Sequence, residues 1–268
     1  MTDPNSVLGL KFVTVIKDKI VNLQLKHVDF SYNRKNVFSD LSLNFPDDGL
    51  IAIVGNNGSG KSTLLKLLAG IIEPSAGQVI VDDINYRQLG AHAVAQMISY
   101  VPQFLDTAFG LSVIDFLLMM IGNKSFSINK EDFEKVYAGL ECVGMQNFIR
   151  CNINELSGGE RQKILIAAAV SRNTPLMLLD EPISHLDWNS QIEIFKLLRE
   201  IAVAKNRKII VIAHDINLVS AYCEYVLMMK NSKPIAYGRT SEILKPQMIQ
   251  NVFGVNVHTA ENYFIPEY

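Results

Sequence analysis

Cysteine and tryptophan are scarce, with three cysteines and one tryptophan among 268 residues. The cysteines, Cys142, Cys151 and Cys223, are odd in number, lack the spacing of a metal site and are too sparse for a disulfide framework. A reduced, cytosolic setting is therefore predicted. Excess positive charge is also missing, since 25 Lys and Arg stand against 27 Asp and Glu. Sequence-independent nucleic-acid binding needs a basic surface, so we expect no nucleic-acid partner.

Long hydrophobic runs are missing as well. The longest, residues 109–122 (FGLSVIDFLLMMIG), is too short to span a bilayer and contains Asp115. The first 20 residues carry charge on both sides of a short apolar patch and lack the form of a signal peptide. Hydrophobic residues make up 49% and charged residues 19%, which is a globular composition with ample material for a core. Any association with a membrane is therefore expected to come through a partner.

The hydrophobic pattern predicts an α/β fold. Residues 21–48 alternate apolar and polar side chains, which is typical of antiparallel, half-buried strands. Three continuous apolar runs, 50–54, 176–179 and 208–213, favour parallel strands buried on both faces. Between about residues 102 and 156 the pattern is helical, with Ser112 and Asn129 as expected N-caps. We interpret this stretch as a helical insertion in an α/β core.

A phosphate-binding loop is predicted at residues 55–63, GNNGSGKST, between an apolar strand and a helical segment. The three glycines let successive backbone N–H groups turn toward phosphate oxygens, and the helix that starts at Lys61 adds its positive end. Lys61 supplies a cation to the outer phosphates, and the Ser62 hydroxyl is a ligand for Mg²⁺. The complete predicted loop is Gly55, Asn56, Asn57, Gly58, Ser59, Gly60, Lys61, Ser62 and Thr63.

Two carboxylates follow the second apolar run, in the segment LMLLDEP. Asp180 at the strand tip can hold Mg²⁺, directly or through water. Glu181 is then placed to polarise the attacking water as a general base. Taken alone, Asp-Glu-Pro could merely end a strand; next to a phosphate loop the catalytic interpretation is favoured.

A second anion-binding element is predicted at LSGGE, residues 156–160. Ser157 is a good N-cap, and Gly158 and Gly159 leave backbone N–H groups bare at the positive end of the following helix. Read by itself, the segment is also compatible with an ordinary capped helix.

Taken in order, GNNGSGKST, Gln103, LSGGE, LMLLDEP, SHLD (184–187) and His214 resemble the ABC ATPase family from about residue 21 to 255. The LSGG element separates this family from other phosphate-loop proteins. The resemblance implies a P-loop NTPase (RecA-like) core with an antiparallel β subdomain and an inserted α-helical subdomain. The implied divisions are core 21–103, helical subdomain 104–160, core 161–256 and tail 257–268.

The resemblance also implies how the site works, with ATP and Mg²⁺ as ligands. Two copies would stack head to tail, each ATP lying between the phosphate loop of one and the Ser157, Gly158 and Gly159 segment of the other. Gln103 would touch Mg²⁺, and His214 would contact the γ-phosphate and Glu181. Asp187 would contact the opposing site, and Tyr32 would stack on adenine.

Within the family, the chain resembles importer subunits for iron chelates, haem and cobalamin. The features that carry this are His185 in SHLD, HDIN (214–217), VFGV (252–255) and the tail at 264–266. Zinc and manganese importers share much of the pattern, and an iron–sulfur assembly factor is a further alternative. No sustained heptads separate the phosphate loop from LSGGE, which argues against DNA-repair ATPases with their long coiled coil.

The resemblance implies integral membrane permease subunits as partners, an indirect link to a substrate-binding protein, and a peripheral location on the cytoplasmic face of the plasma membrane. The permease-docking surface is predicted near residues 103–113, although these apolar side chains could instead pack the insertion's own core. Two further expectations concern single positions. Pro234, after Asn231 and Ser232, favours an edge strand, and His27 has no identifiable partner.

Overall fold

The computed structural model describes residues 22–33, 35–46, 49–103, 110–122, 129–204, 207–260 and 263–266. Two larger sheets, one antiparallel and one mostly parallel, and a two-stranded hairpin make up the β structure of the described residues. The P-loop core with an antiparallel β subdomain and an inserted helical segment, predicted above, is the fold that is found.

The antiparallel sheet has the strand order β2-β1-β4-β5. Its strands are β1 (Leu23–Tyr32), β2 (Lys35–Phe45), β4 (Ala76–Val81) and β5 (Ile84–Asn85). Along β1, Leu23 and Leu25 are buried while Gln24 between them is partly exposed, because successive side chains point to opposite faces. The prediction of half-buried antiparallel strands at 21–48 is confirmed.

The larger sheet has the order β10-β9-β3-β8-β7-β6. Its strands are β3 (Gly49–Gly55), β6 (Ile98–Val101), β7 (Leu176–Leu179), β8 (Lys208–Ile212), β9 (Tyr225–Lys230) and β10 (Lys233–Arg239). All neighbouring pairs are parallel except β9 with β10. Ile51 and Ile53 pack into one core while Ala52 and Val54 pack into the other, so both faces are covered. The three apolar runs therefore form parallel strands, as predicted.

The edge strand β10 follows a tight hairpin. Asn231 and Ser232 both have positive φ, 49° and 61°, as a two-residue turn that matches the twist of the strands requires. Pro234 lies in β10, the edge strand of the larger sheet, where a residue without a backbone N–H is tolerated. The predicted edge strand is confirmed.

The helices connect the strands and cover the sheets. In chain order they are α1 (Lys61–Leu68), α2 (Tyr86–Leu89), α3 (Ala91–Met97), α4 (Val113–Met120), α5 (Lys130–Cys142), α6 (Gly158–Ser171), α7 (Trp188–Ala204), α8 (Ile216–Tyr222), α9 (Thr240–Ile243) and α10 (Pro246–Phe253). The Ser112 side chain caps α4 and that of Asn129 caps α5, as predicted. No helix in the described ranges is long and apolar enough to cross a membrane.

Helices α4, α5 and α6 separate β6 from β7 and pack together. An isolated bridge joins Ser112 to Asn152 and ties the two ends of this segment to each other. The approach of α5 to α6 depends on Gly139, where an added Cβ would lie 2.0 Å from Ser171 Oγ. The boundaries of the helical subdomain, 104–160, stay a prediction, and residues 104–109 lie outside the described ranges.

A small antiparallel hairpin, β11 (Val257–Ala260) with β12 (Tyr263–Pro266), forms the C-terminal part of the described chain. The sequence predicts only a tail here. The alternation in these few residues is too short to distinguish a hairpin from an extended tail.

Candidate functional site

The phosphate loop joins the end of β3 to the start of α1. Gly60 precedes the helix with a φ of 91°, in the left-handed region that favours glycine. At Gly55 an added Cβ would lie 2.2 Å from the carbonyl oxygen of Met229 on β9, so a side chain cannot be accommodated there. These constraints shape a loop that ends at the positive end of a helix, as phosphate binding requires.

Lys61 places its ammonium group at the loop. Its Nζ donates to the carbonyl oxygens of Gly55, at 2.8 Å, and Asn56, at 3.1 Å. Burial lowers the pKa of Lys61 from 10.5, and the negative charges of Glu181 and Asp180 oppose that shift. In the same loop Ser59 is buried, and its Oγ has no hydrogen-bond partner within the described residues. The loop thus has a cation and an unused hydroxyl beside the glycines.

Asp180 follows β7 and meets the loop. Its Oδ1 accepts a hydrogen bond from Ser62 Oγ at 3.0 Å, and its Oδ2 accepts one from the Tyr100 hydroxyl at 3.2 Å. Burial raises the pKa of Asp180, and the neighbouring Glu181 adds to that rise. A carboxylate and a hydroxyl that converge in this way are hard oxygen donors of the kind Mg²⁺ prefers. The residues present therefore fit a magnesium ion.

Glu181 is held between two other side chains. Its Oε2 accepts a hydrogen bond from Gln103 Nε2 at 2.8 Å, and its Oε1 lies 2.7 Å from His214 Nε2. A carboxylate only accepts, so the His214 ring nitrogen carries the hydrogen of that bond. Glu181 also has a φ of 49°, an uncommon conformation for a residue with a side chain and one that concentrates at functional sites.

The sheet order explains why these residues meet. Strands β3, β8, β7 and β6 are parallel neighbours, so their carboxyl ends share one edge. Gly55 is the last residue of β3. His214, Glu181 and Gln103 follow the ends of β8, β7 and β6. Ligand sites of parallel sheets lie at this edge. The structure thus brings together the loop, both carboxylates, the glutamine and the histidine predicted from the sequence.

The LSGGE segment forms a complete capping box at the start of α6. Ser157 N donates to Glu160 Oε2 at 2.9 Å, and Glu160 N donates to Ser157 Oγ at 3.3 Å. Ser157 and Gly158 are exposed, and Gly159 is half-buried. No hydrogen bond within the described part of the chain links this segment to the phosphate loop. It is a second exposed helix end, separate from the first.

Asp187 lies next to the LSGGE segment. Its Oδ1 accepts from Ser190 N at 3.0 Å and its Oδ2 from Ser190 Oγ at 2.6 Å, which lowers the pKa of Asp187. A Cβ at Gly159 would lie 3.0 Å from the same Ser190 Oγ, and a Cβ at Gly158 3.4 Å from Leu186. The SGG segment and the SHLD segment therefore form one continuous face.

The remaining predicted residues lie around this centre. Tyr32 is 44% exposed at the end of β1, with its ring edge-on to Phe30 at 4.8 Å between centroids. Asn57 is exposed and Thr63 half-buried. Asn56 is exposed, and its side chain donates to the carbonyl oxygen of Val252 at 3.1 Å. Of the docking surface predicted near 103–113, residues 104–109 lie outside the described residues, and Leu111 is half-buried against the core. The docking surface stays a prediction.

Sequence reasoning missed two contacts. The first is the bond from the Tyr100 hydroxyl to Asp180. Tyr100 lies within the apolar strand β6, so its residue type and position indicate a core residue. The expectation that His27 lacks a partner is wrong, since its Nδ1 lies 2.6 Å from Asp40 Oδ1. Strand pairing with register shifts brings these two exposed side chains together, which local sequence does not reveal.

The chain is similar to known proteins in sequence and in fold. The family model described as ABC transporter matches residues 38–184. An uncharacterised ABC transporter ATP-binding protein of Methanocaldococcus jannaschii is 31% identical over 247 residues, covering 91% of this chain and 96% of that protein. The petrobactin import ATP-binding protein of Bacillus anthracis is 30% identical, covering 86% of each chain. The iron(3+)-hydroxamate import ATP-binding protein of Bacillus subtilis is also 30% identical, covering 88% of each.

Solved structures share the fold. A metal-chelate type ABC transporter in an inward-facing conformation superposes with a TM-score of 0.79 at 29% identity, covering 93% of this chain and 98% of that one. An ATP-binding cassette in its ADP conformation gives a TM-score of 0.77 at 23% identity, over 87% of this chain and 99% of the other. The second likeness supports the fold alone.

Proposed function

Because this chain belongs to the ABC transporter family and is one of its ATPases, we propose that it powers an importer for an iron chelate, haem or cobalamin. The observation that carries the catalytic part is the Glu181 carboxylate, held between Gln103 and His214 at the sheet edge where Lys61 lies. The names of the two Bacillus relatives support an iron-chelate cargo.

The chain's own groups account for hydrolysis. The N–H groups of the loop and the Lys61 ammonium bind the phosphates, and the bare helix end of α1 favours their charge. Glu181 takes the proton of the attacking water on its carboxylate, while Gln103 and His214 hold that carboxylate in place. Mg²⁺ held by Ser62, Asp180 and Gln103 would neutralise charge that develops on the phosphates. Tyr32, exposed at the end of β1, is proposed to stack on adenine.

We assign the SGG segment to the ATP of a second copy. Its exposed N–H groups at the start of α6 make a second anion site, and no hydrogen bond among the described residues joins it to the phosphate loop of its own chain. Two such helix ends closing on one triphosphate require a head-to-tail pair, with Asp187 on the same face as Ser157, Gly158 and Gly159. The proposed partners also include membrane permease subunits and, through them, a substrate-binding protein, at the cytoplasmic face of the membrane.

Glu181→Gln tests the assigned base. A glutamine keeps the size of the side chain and can still meet Gln103 and His214, but it cannot take a proton from water. We expect hydrolysis to fall by about 10²–10⁴-fold, as for loss of a general base. ATP should still bind, and ATP-dependent dimers should accumulate in size-exclusion chromatography.

Glu134→Gln is the matched control, since Glu134 is exposed on α5 and pairs only with Lys130 within the described residues. It should hydrolyse ATP at the parent rate. Undiminished hydrolysis by Glu181→Gln would remove Glu181 from the mechanism. Dimers that form equally without ATP would contradict the shared-site arrangement.

The cargo is tested in proteoliposomes that contain the chain with its permease. ATP-dependent uptake of a ferric chelate, haem or cobalamin supports the proposal. Uptake of zinc or manganese instead would make the chain part of a metal-ion importer. ATP hydrolysis that no permease stimulates would favour a role outside transport, such as iron–sulfur assembly.

A further inference from the structure

The side chain of Asn217, in α8, hydrogen-bonds the backbone of the C-terminal hairpin. Phe264 N donates to Asn217 Oδ1 at 2.8 Å, and Asn217 Nδ2 donates to the Phe264 carbonyl oxygen at 3.3 Å. The amide thus satisfies both backbone groups of Phe264, in the way that a neighbouring strand would. The two residues are 47 positions apart in sequence.

Asn217 lies in the first turn of α8, close to His214. The carboxylate of Asp215 caps this helix and accepts hydrogen bonds from Asn217 N at 2.8 Å and Leu218 N at 3.0 Å. On the other side, Ala213 N donates to the Ile53 carbonyl oxygen at 3.1 Å. His214 therefore lies between a strand end and a helix start, and the first turn of that helix carries the residue that the hairpin bonds.

The hairpin contacts the core through the half-buried side chains of Val257 and Phe264 and through Asn217. A cleft of about 930 Å³ lies between the hairpin and helices α8 and α9, so packing beneath the hairpin is incomplete. The Phe264 side chain is half-buried against the core. The two bonds to Asn217 are thus a main contact between the hairpin and α8.

We infer that Asn217 is a positioning residue, which transmits the docking of the C-terminal hairpin through the start of α8 to His214 and hence to Glu181. The inference rests on the proposed roles of His214 and Glu181. Loss of the link lets the helix start shift, and the bond between His214 Nε2 and Glu181 Oε1 then loses its geometry.

Asn217→Ala is the first test. Loss of the two hydrogen bonds to Phe264 should partly misalign His214 and lower kcat by roughly 3–10-fold. The KM for ATP should stay unchanged, because the phosphate loop is untouched. Asn251→Ala, at an exposed position on α10, is the matched control and should keep the parent kcat. Thermal melting of each variant checks that it is folded.

A second pair of variants separates the backbone bond from side-chain packing. Phe264→Pro removes the N–H that Asn217 accepts, whereas Phe264→Ala keeps it. Phe264→Pro should reproduce the kcat loss of Asn217→Ala, and the double variant should lose no more than either alone. Phe264→Ala should lower the melting temperature without that loss in kcat. Equal kcat losses in Phe264→Pro and Phe264→Ala would overturn the inference.

The His214→Ala variant distinguishes a positioning role from a purely structural one. Adding Asn217→Ala to it should not lower the hydrolysis rate further, measured under single turnover with radiolabelled ATP. In the parent protein, NMR signals of the His214 imidazole should shift in Asn217→Ala but not in Asn251→Ala. A kcat loss that persists without His214 refutes the link. If His214→Ala alone leaves hydrolysis unchanged, the proposed role of His214 fails. If His214→Ala is impaired while Asn217→Ala is not, only the present inference fails.

Discussion

Asp180→Asn should make the protein more stable and, at the same time, inactive. Asp180 is 5% exposed and accepts hydrogen bonds from Ser62 and Tyr100. An asparagine in the same position keeps both contacts, because its oxygen accepts from one hydroxyl and its amide donates to the other. The substitution therefore removes a buried charge and leaves the packing in place.

The direction of the stability change follows from the pKa of Asp180. Burial raises this pKa above 3.8, and repulsion from Glu181 adds to the rise. Stability contributed by a group with a raised pKa is fully present below the unfolded value and is lost as the pH rises through the folded value. At neutral pH the carboxylate thus destabilises the fold. Relief of such a functional-site cost is typically worth about 1 kcal/mol, which raises the melting temperature by about 2–4 °C.

The assay is thermal melting at neutral pH without nucleotide or magnesium, followed by melting with both. The parent protein should gain stability from Mg²⁺ and ATP, by about 2.7 kcal/mol at a hundredfold excess over Kd. Asp180→Asn should have a higher melting temperature than the parent without ligands. It should lose the part of the ligand-induced gain that depends on Mg²⁺. ATP hydrolysis should fall to background.

Asp187→Asn is a control of opposite sign. The pKa of Asp187 is lowered by hydrogen bonds from Ser190, so its charged form favours the fold and its removal should lower the melting temperature at neutral pH. A lower melting temperature for Asp180→Asn would refute the reasoning. So would a gain of stability from Mg²⁺ and ATP equal to that of the parent.

Two further predictions concern the helices. Gly139→Ala should lower the free energy of unfolding, measured in urea, by about 1–3 kcal/mol, because its Cβ would lie 2.0 Å from Ser171 Oγ and 2.7 Å from the Ala167 carbonyl oxygen. Adding Ser171→Ala should recover only part of this loss. An unchanged urea midpoint in Gly139→Ala would show that the two helices move apart easily. In the capping box, hydrogen bonds from Ser157 lower the pKa of Glu160. The stability that the Glu160 carboxylate contributes is therefore present above pH 4.5 and is lost as the pH falls through the lowered pKa. Glu160→Gln should reduce the dependence of the unfolding free energy on pH at acidic pH, measured by urea titrations. Glu160→Ala should lower stability at neutral pH as well. An unaltered pH dependence in Glu160→Gln would contradict the assignment.

Local features were readable from the sequence because neighbouring residues create them. Ser112, Asn129 and Ser157 cap the helices that the pattern predicted, since each cap needs only a side chain and the N–H two or three residues later. The phosphate loop likewise follows from its glycines and the helix at Lys61. The apolar runs predicted strands buried on both faces, because neither face can be left to solvent.

The partners of the catalytic carboxylate were less accessible. Gln103 and His214 were placed at the site by resemblance to a family, and taken alone neither residue carries a signal. They reach Glu181 because β6 and β8 flank β7, and the order of strands in a sheet is decided by which helices and faces pack best. Tyr100 reaches Asp180 for the same reason.

The sequence by itself determined the chemistry at each position, namely a phosphate loop, two acids after a buried strand and a second bare helix end. These depend on residue type and on spacings of a few residues, which the chain cannot change when it folds. Only the tertiary structure decided which of these groups meet. Glu181 lies between two residues 78 and 33 positions away, and Asn217 holds a hairpin 47 positions away. Such contacts depend on strand order and on the packing of whole elements, and no short stretch of sequence contains that information.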